Sequence, residues 1–129
     1  MRTVLKFNYL FKPVSEGSIK SNTWTLEEIQ HGAVEQFLKQ LKTYYTIAHR
    51  EFTGKLDKHG KEIYDSDIIK VPVNKGCKGQ YEVIFDEDNG CWDLDRFDDY
   101  GFDDFTAWQY AENFEVIGNI YDNPQLMEE

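Results

Sequence analysis

Cysteine is almost missing from this sequence. Cys77 and Cys91 fit no metal-ligand spacing, and nothing in the chain points to an oxidising compartment. The expectation is a reduced, cytoplasmic protein without metal or cofactor. Long apolar runs are missing too: none approaches the roughly 20 residues that cross a bilayer. The opening segment MRTVLKFNYLFKP has no small-residue cleavage site, and Lys6 and Asn8 interrupt its apolar positions. It is therefore not expected to be a signal peptide. Basic residues are scarce, 14 Lys and Arg against 24 Asp and Glu, and the net charge of −10 repels nucleic acid and anionic membranes on average. No repeat, low-complexity tract or interdomain linker interrupts the chain. Catalytic spacing is absent as well. His31, His49 and His59 have no partner at a nucleophile or metal-ligand distance in sequence, and Cys77, between two lysines, has no matched histidine. A protein without chemistry of its own is expected.

Aromatic residues are plentiful: eight Tyr, nine Phe and three Trp in 129 residues, enough to build a real core. Thr3 to Phe11 alternates, with Leu5, Phe7, Tyr9 and Phe11 on one side, and reads as a strand ended by Pro13. A turn at 15–18 leads to a second short strand, Ile19 to Trp24. Thr25 stands three residues before Glu28, the spacing of a helix-capping box. Leu26, Ile29, Ala33, Phe37 and Leu41, with Val34 and Leu38, then make one apolar stripe. The stripe predicts a single helix from Leu26 to Leu41, with Gly32 tolerated inside it at a cost of about 1 kcal/mol. Thr43 to Ala48 has strand composition. Gln80 to Asp86 alternates, and Asp88-Asn89-Gly90 marks a hairpin returning at Cys91 to Leu94. Phe105 to Asn113 is ambiguous between strand and helical turn. Phe114 to Tyr121 is a last strand with a bulge at Gly118, stopped by Asp122-Asn123-Pro124.

The segment Glu51 to Val73 organises the rest. Glu51-Phe52-Thr53 is extended and breaks at Gly54, and a polar loop runs from Lys55 to Gly60. Lys61 to Tyr64 returns to extended structure. A second turn, Asp65-Ser66-Asp67, precedes the β-branched Ile68-Ile69-Lys70-Val71. Asp67 is expected to orient that strand entry by accepting from nearby backbone N–H groups. The fold class is α+β, mainly β, with a strand-helix-strand segment at 1–50 and a small barrel at 51–129.

Two pieces of the chain resemble the YopX family of phage and prophage proteins. One is Phe52-Thr53-Gly54 with Asp57-Lys58-His59-Gly60-Lys61-Glu62-Ile63-Tyr64 and Asp65-Ser66-Asp67-Ile68-Ile69. The other is Glu115-Val116-Ile117-Gly118-Asn119-Ile120-Tyr121-Asp122-Asn123-Pro124. Lys55 stands where the family pattern has Leu, and Ser66 where it has Gly. The resemblance covers about residues 51–124 and leaves the N-terminal half outside. It implies an SH3-like β-barrel, a phage gene product in the bacterial host, and structural turns at Gly54, Asp57, Gly60, Asp67, Gly118 and Asn119. It carries over no catalytic residue.

Charge is unevenly placed. Asp86 to Asp104 holds nine acids and one base, Arg96, whereas Lys39 to Gln80 holds nine bases and five acids. Asp86, Asp88, Asp93 and Asp95 do not form a calcium loop, because the positions that need Gly and a bidentate acid are Cys91 and Phe97. The acidic run is expected to be a solvated face. As a partner-binding face it would use Asp98, Asp99, Asp103 and Asp104, toward an unidentified host or phage protein or as a mimic of DNA phosphates. The opposite alternative is nucleic-acid binding through Lys39, Lys42, Arg50, Lys55, Lys58, Lys61, Lys70, Lys75 and Lys78, with Tyr44 and Tyr45 stacking on bases. Self-association also stays open.

Overall fold

The structure is a computed structural model, and it describes residues 5–41, 43–70, 80–88, 90–95 and 114–127. The chain divides into two compact units, Met1–Phe52 and Thr53–Glu129. The described residues are mainly β with two short helices, an α+β protein weighted to strands.

In the first unit, β1 (Lys6–Pro13) is flanked by β2 (Lys20–Thr25) and by β3 (Tyr44–Leu56), both antiparallel. The aromatic alternation holds only in part: Phe11 is buried as its spacing predicts, but Phe7 and Tyr9 are half-buried, and Asn8 and Leu10 from the opposite side of the strand are buried. Phe11 and Trp24 are buried with Val34, and Tyr9, Ile29, Ala33, Phe37, Leu38 and Tyr44 pack on them. Phe37 meets the rings of Phe11 and Trp24 at centroid distances of 5.0 and 5.3 Å. One end departs from the pattern, since Leu5 is exposed. The β1–β3 register shifts between Leu10 and Phe11, and both residues are buried.

The helix is two helices. Thr25 caps α1 (Leu26–Gln30) through the expected box: Glu28 N–H donates to the Thr25 hydroxyl at 3.2 Å, and Thr25 N–H donates to the Glu28 carboxylate at 2.9 Å. Gly32 then takes φ +88° and ends that helix, and α2 (Ala33–Leu41) starts at once. A glycine just past a helix end adopts the left-handed conformation almost freely, so the chain turns there instead of bearing a glycine in mid-helix. The apolar periodicity concealed the break because residues of both helices face the same Phe11–Trp24 core.

The second unit begins within β3, which continues through Gly54 to Leu56 and does not stop at that glycine. β4 (Glu62–Tyr64) follows, and then a four-stranded antiparallel sheet. Its strands are β5 (Asp67–Lys70), β6 (Gln80–Asp86), β7 (Cys91–Asp95) and β8 (Glu115–Asn119), in the order β7-β6-β5-β8. Among the described residues this sheet is open, and no strand pairing closes it into a barrel. Ile63, Ile69, Tyr81, Val83, Leu94 and Phe114 form its core, with Trp92 and Val116 packed against them. The expected bulge is present: Ile68 faces Gly118 and Ile69 faces Val116, leaving Ile117 without an opposite residue. β8 ends at Asn119, before the Asp122-Asn123-Pro124 stop, and Pro124–Met127 is a short 3₁₀ helix.

Candidate functional site

The polar residues of the two motif pieces converge on β8. Asp57 follows directly on β3 and is 5% exposed. One of its carboxylate oxygens accepts from the backbone N–H groups of His59 and Lys61 at 2.8 and 2.9 Å. The other accepts from Val116 N–H at 3.0 Å, across 59 residues of sequence. Beside it, Lys58 N–H donates to the Phe114 carbonyl at 2.8 Å. Burial pushes the Asp57 carboxyl up. The N–H donors of Val116, Lys61 and His59, with a smaller contribution from the His59 charge, outweigh it and leave the pKa below its ordinary value of 3.8. The loop closes at Gly60, whose φ of +79° a side chain rarely adopts. Lys58 and His59 approach the Glu115 carboxylate at 3.6 and 3.7 Å, but as solvent-exposed pairs they contribute little.

The second turn has the same character. Asp67, 3% exposed, accepts from Tyr64 N–H at 2.8 Å, as its position before Ile68 predicts. Ser66 sits at φ +67°, so the residue that replaces the family's glycine is held in a left-handed conformation. Its N–H donates to the Val83 carbonyl and its carbonyl accepts from Ile120 N–H. The corner after β8 is built by Asn119, whose side-chain oxygen accepts from Tyr121 and Asp122 N–H at 2.9 and 2.8 Å. Gly118 leaves room there for Asn123: a Cβ would meet the Asn123 side-chain oxygen and lie 2.8 Å from its Cγ, so that side chain would have to shift. Gly54, at φ +88°, lies beside Thr53, whose hydroxyl donates to the Ile63 carbonyl at 2.8 Å. Asp57 and Gly60 lie in the loop after β3 and Asp67, Gly118 and Asn119 at the ends of β5 and β8, whereas Gly54 lies inside β3 and makes no turn there. The four at 57, 67, 118 and 119 bond or abut backbone and side chains that shape β8 or β5.

The charged candidates separate. Asp98, Asp99, Asp103 and Asp104 lie outside the described residues, as do Arg96, Lys42, Lys75, Lys78 and Cys77. Of the basic set, Lys39, Lys55, Lys58, Lys61 and Lys70 are exposed. Arg50 is 6% exposed, and two of its nitrogens donate to the Asn8 side-chain oxygen at 3.1 and 2.7 Å. Asn8 in turn donates to Thr23. Arg50 is therefore a core residue and leaves the proposed nucleic-acid surface. Tyr45 is exposed, whereas Tyr44 is half-buried with the Lys20 ammonium 5.1 Å from its ring centre. The histidines are apart: His31 caps α1, His49 lies against the Phe7 and Tyr9 rings, and His59 is in the exposed loop. Among the described residues no three His, Cys, Asp or Glu side chains are grouped to hold a metal ion, and no helix is long and apolar enough to cross a membrane.

One pair escaped the sequence reading. Phe85 and Trp92 face each other across β6 and β7 with ring centroids 5.2 Å apart at 72°. Phe85 is nevertheless 46% exposed. The alternation of Tyr81, Val83 and Phe85 marks all three as core-facing. Only their distance from the hairpin turn separates the buried pair from the exposed one.

No curated protein matches the sequence. Among solved structures, the chain is similar to protein EF1440 from Enterococcus faecalis, at 25% identity over 93% of this chain and 75% of that one, with a TM-score of 0.45. The family model described as YopX protein matches residues 12–128. The match takes in the N-terminal helices, which the motif resemblance had left outside, along with every turn that holds β8. This chain belongs to the YopX family.

Proposed function

We propose that this protein is a phage- or prophage-encoded accessory protein that works by binding another protein in the bacterial cytoplasm, without catalysing a reaction. The observation that carries this reading is how the motif's polar residues are used. Asp57, Asp67 and Asn119 direct carboxylate or amide oxygens at backbone N–H groups. A carboxylate fully engaged in this way stabilises a turn and has little capacity left for proton transfer. The motif then specifies a scaffold of turns and strand ends in the second unit, and the surfaces around that scaffold meet partners.

Charge favours a protein partner over nucleic acid. The chain is acidic overall, and burial of Arg50 thins the basic set further. The test is affinity capture of the tagged protein from host lysate, with and without nuclease. A discrete protein recovered in both conditions is the expected result. Recovery abolished by nuclease would overturn the reading in favour of nucleic-acid binding through the lysines.

A further inference from the structure

We propose that the β6–β7 hairpin is the docking surface for an arginine-rich segment of a partner protein, an inference that rests on the interaction reading above. The hairpin has two features that arginine alone among the cations satisfies together. The first is the Phe85–Trp92 pair. Tyr81 and Val83 on the same side of β6 are buried in the core and Leu94 on β7 joins them, but the next pair on that side, Phe85 and Trp92, ends in an exposed phenyl ring. Trp92 packs against the core and supports that ring from behind. The second is charge. From Gln80 to Asp95 the sequence carries six acids and no base. Glu87 and Asp88 stand exposed at the tip, next to Phe85 in sequence.

The tip is also ordered by its own bonds. Asp86 accepts from Asp88 N–H at 3.0 Å, and Gly90 N–H donates to the Asp86 carbonyl at 2.8 Å with Gly90 at φ +65°. These bonds restrain the backbone at Asp88 and Gly90 beside Asp86, which lowers the entropy lost on binding. A planar guanidinium stacks on an aromatic face and pairs with carboxylates at the same time. An ammonium is more strongly hydrated and does the first less well. Phosphate-bearing ligands are repelled by the same acids.

The experiment titrates the full chain with oligoarginine and with oligolysine of equal length, reading association and dissociation rates at several salt concentrations. Oligoarginine should bind about ten-fold more tightly than oligolysine, the gain expected from stacking on a partly desolvated ring. Phe85→Ser should remove that preference and lower the thermal midpoint only slightly, since the ring is partly exposed and its packing is confined to Trp92. Glu87→Gln with Asp88→Asn should slow association for both peptides and flatten its salt dependence. Equal binding of the two peptides, binding insensitive to Phe85→Ser, or no binding would each overturn the proposal. So would a marked fall in the thermal midpoint of Phe85→Ser, because it would mean the ring is covered in the folded chain. If Phe85→Ser still recovers the same lysate protein as the native chain, this surface is wrong and the interaction reading stands.

Discussion

Asp57→Ala tests the idea that the motif's acid is a structural knot. The substitution removes two acceptor oxygens and, with them, three hydrogen bonds at once. The His59 and Lys61 N–H groups sit in an exposed loop and can turn to water, so each loss should cost about 0.5 to 1 kcal/mol. The Val116 N–H is partly buried where the chain enters β8, and stranding it should cost about 1 to 3 kcal/mol. The expected total is about 2 to 5 kcal/mol, a large share of the stability of a small protein. Asp57→Asn should fall in between. Its single amide oxygen can serve either the loop or Val116, while its NH₂ points a donor at the donors on the other side. Urea unfolding followed by circular dichroism measures the midpoint, and amide exchange at Val116 shows whether the local bond has opened. The folded-state pKa of Asp57 lies below its ordinary value of 3.8. Its ionised form therefore stabilises the fold fully above that value, and the contribution disappears as pH falls through the lower, folded pKa. The gap between native and Asp57→Asn stability should accordingly be constant near neutrality and narrow in acid. A neutral Asp57→Ala, or a gap that widens in acid, would refute the reasoning.

Three other substitutions probe other parts of the fold. Ser66→Gly should raise stability by about 0.5 to 1 kcal/mol, the left-handed strain relieved exceeding the added flexibility of the unfolded chain; a loss in the urea midpoint would mean the hydroxyl contributes more than the strain costs. Gly118→Ala should destabilise by about 1 to 3 kcal/mol and shift the amide resonances of Asn119 and Asn123, because the new methyl occupies the space of the Asn123 side chain. Phe37→Ala should cost about 2 to 4 kcal/mol, somewhat under the value for a fully buried ring, since Phe37 is half-buried against Phe11 and Trp24; thermal unfolding measures it, and an unchanged midpoint would contradict the packing.

Much of this architecture was legible in the sequence because strands and caps are local. Alternation located β1 and β6, the Thr25–Glu28 spacing located a helix start, and Asp67 before a β-branched run located a strand entry. The misreadings came where periodicity is blind. A helical stripe stays in phase across Gly32 because two successive helices can share one core, so the break left no mark in the pattern. Arg50 reads as a surface cation by residue type, and only its cross-strand partner Asn8 reveals that it is buried. Phe85 presents the reverse difficulty: its position in the alternation is that of a core residue, but the core ends before the hairpin does. Asp57 was identified as a turn residue, while its reach to Val116 was invisible, since nothing local links positions so far apart.

That reach has a consequence for how the chain is made. During synthesis the loop at 57–61 leaves the ribosome long before β8 does. Until residues 114–119 follow, Asp57 has only its two local N–H donors, and β5 has an unpaired edge. Each pairing that β8 completes joins residues widely separated in sequence, the kind of contact that forms slowly because a long loop must close first. The second unit therefore waits for its last strand. In that interval the hydrogen-bonding edge of β5 is open to any other extended chain, so the emerging second unit is exposed to mispairing until β8 pairs.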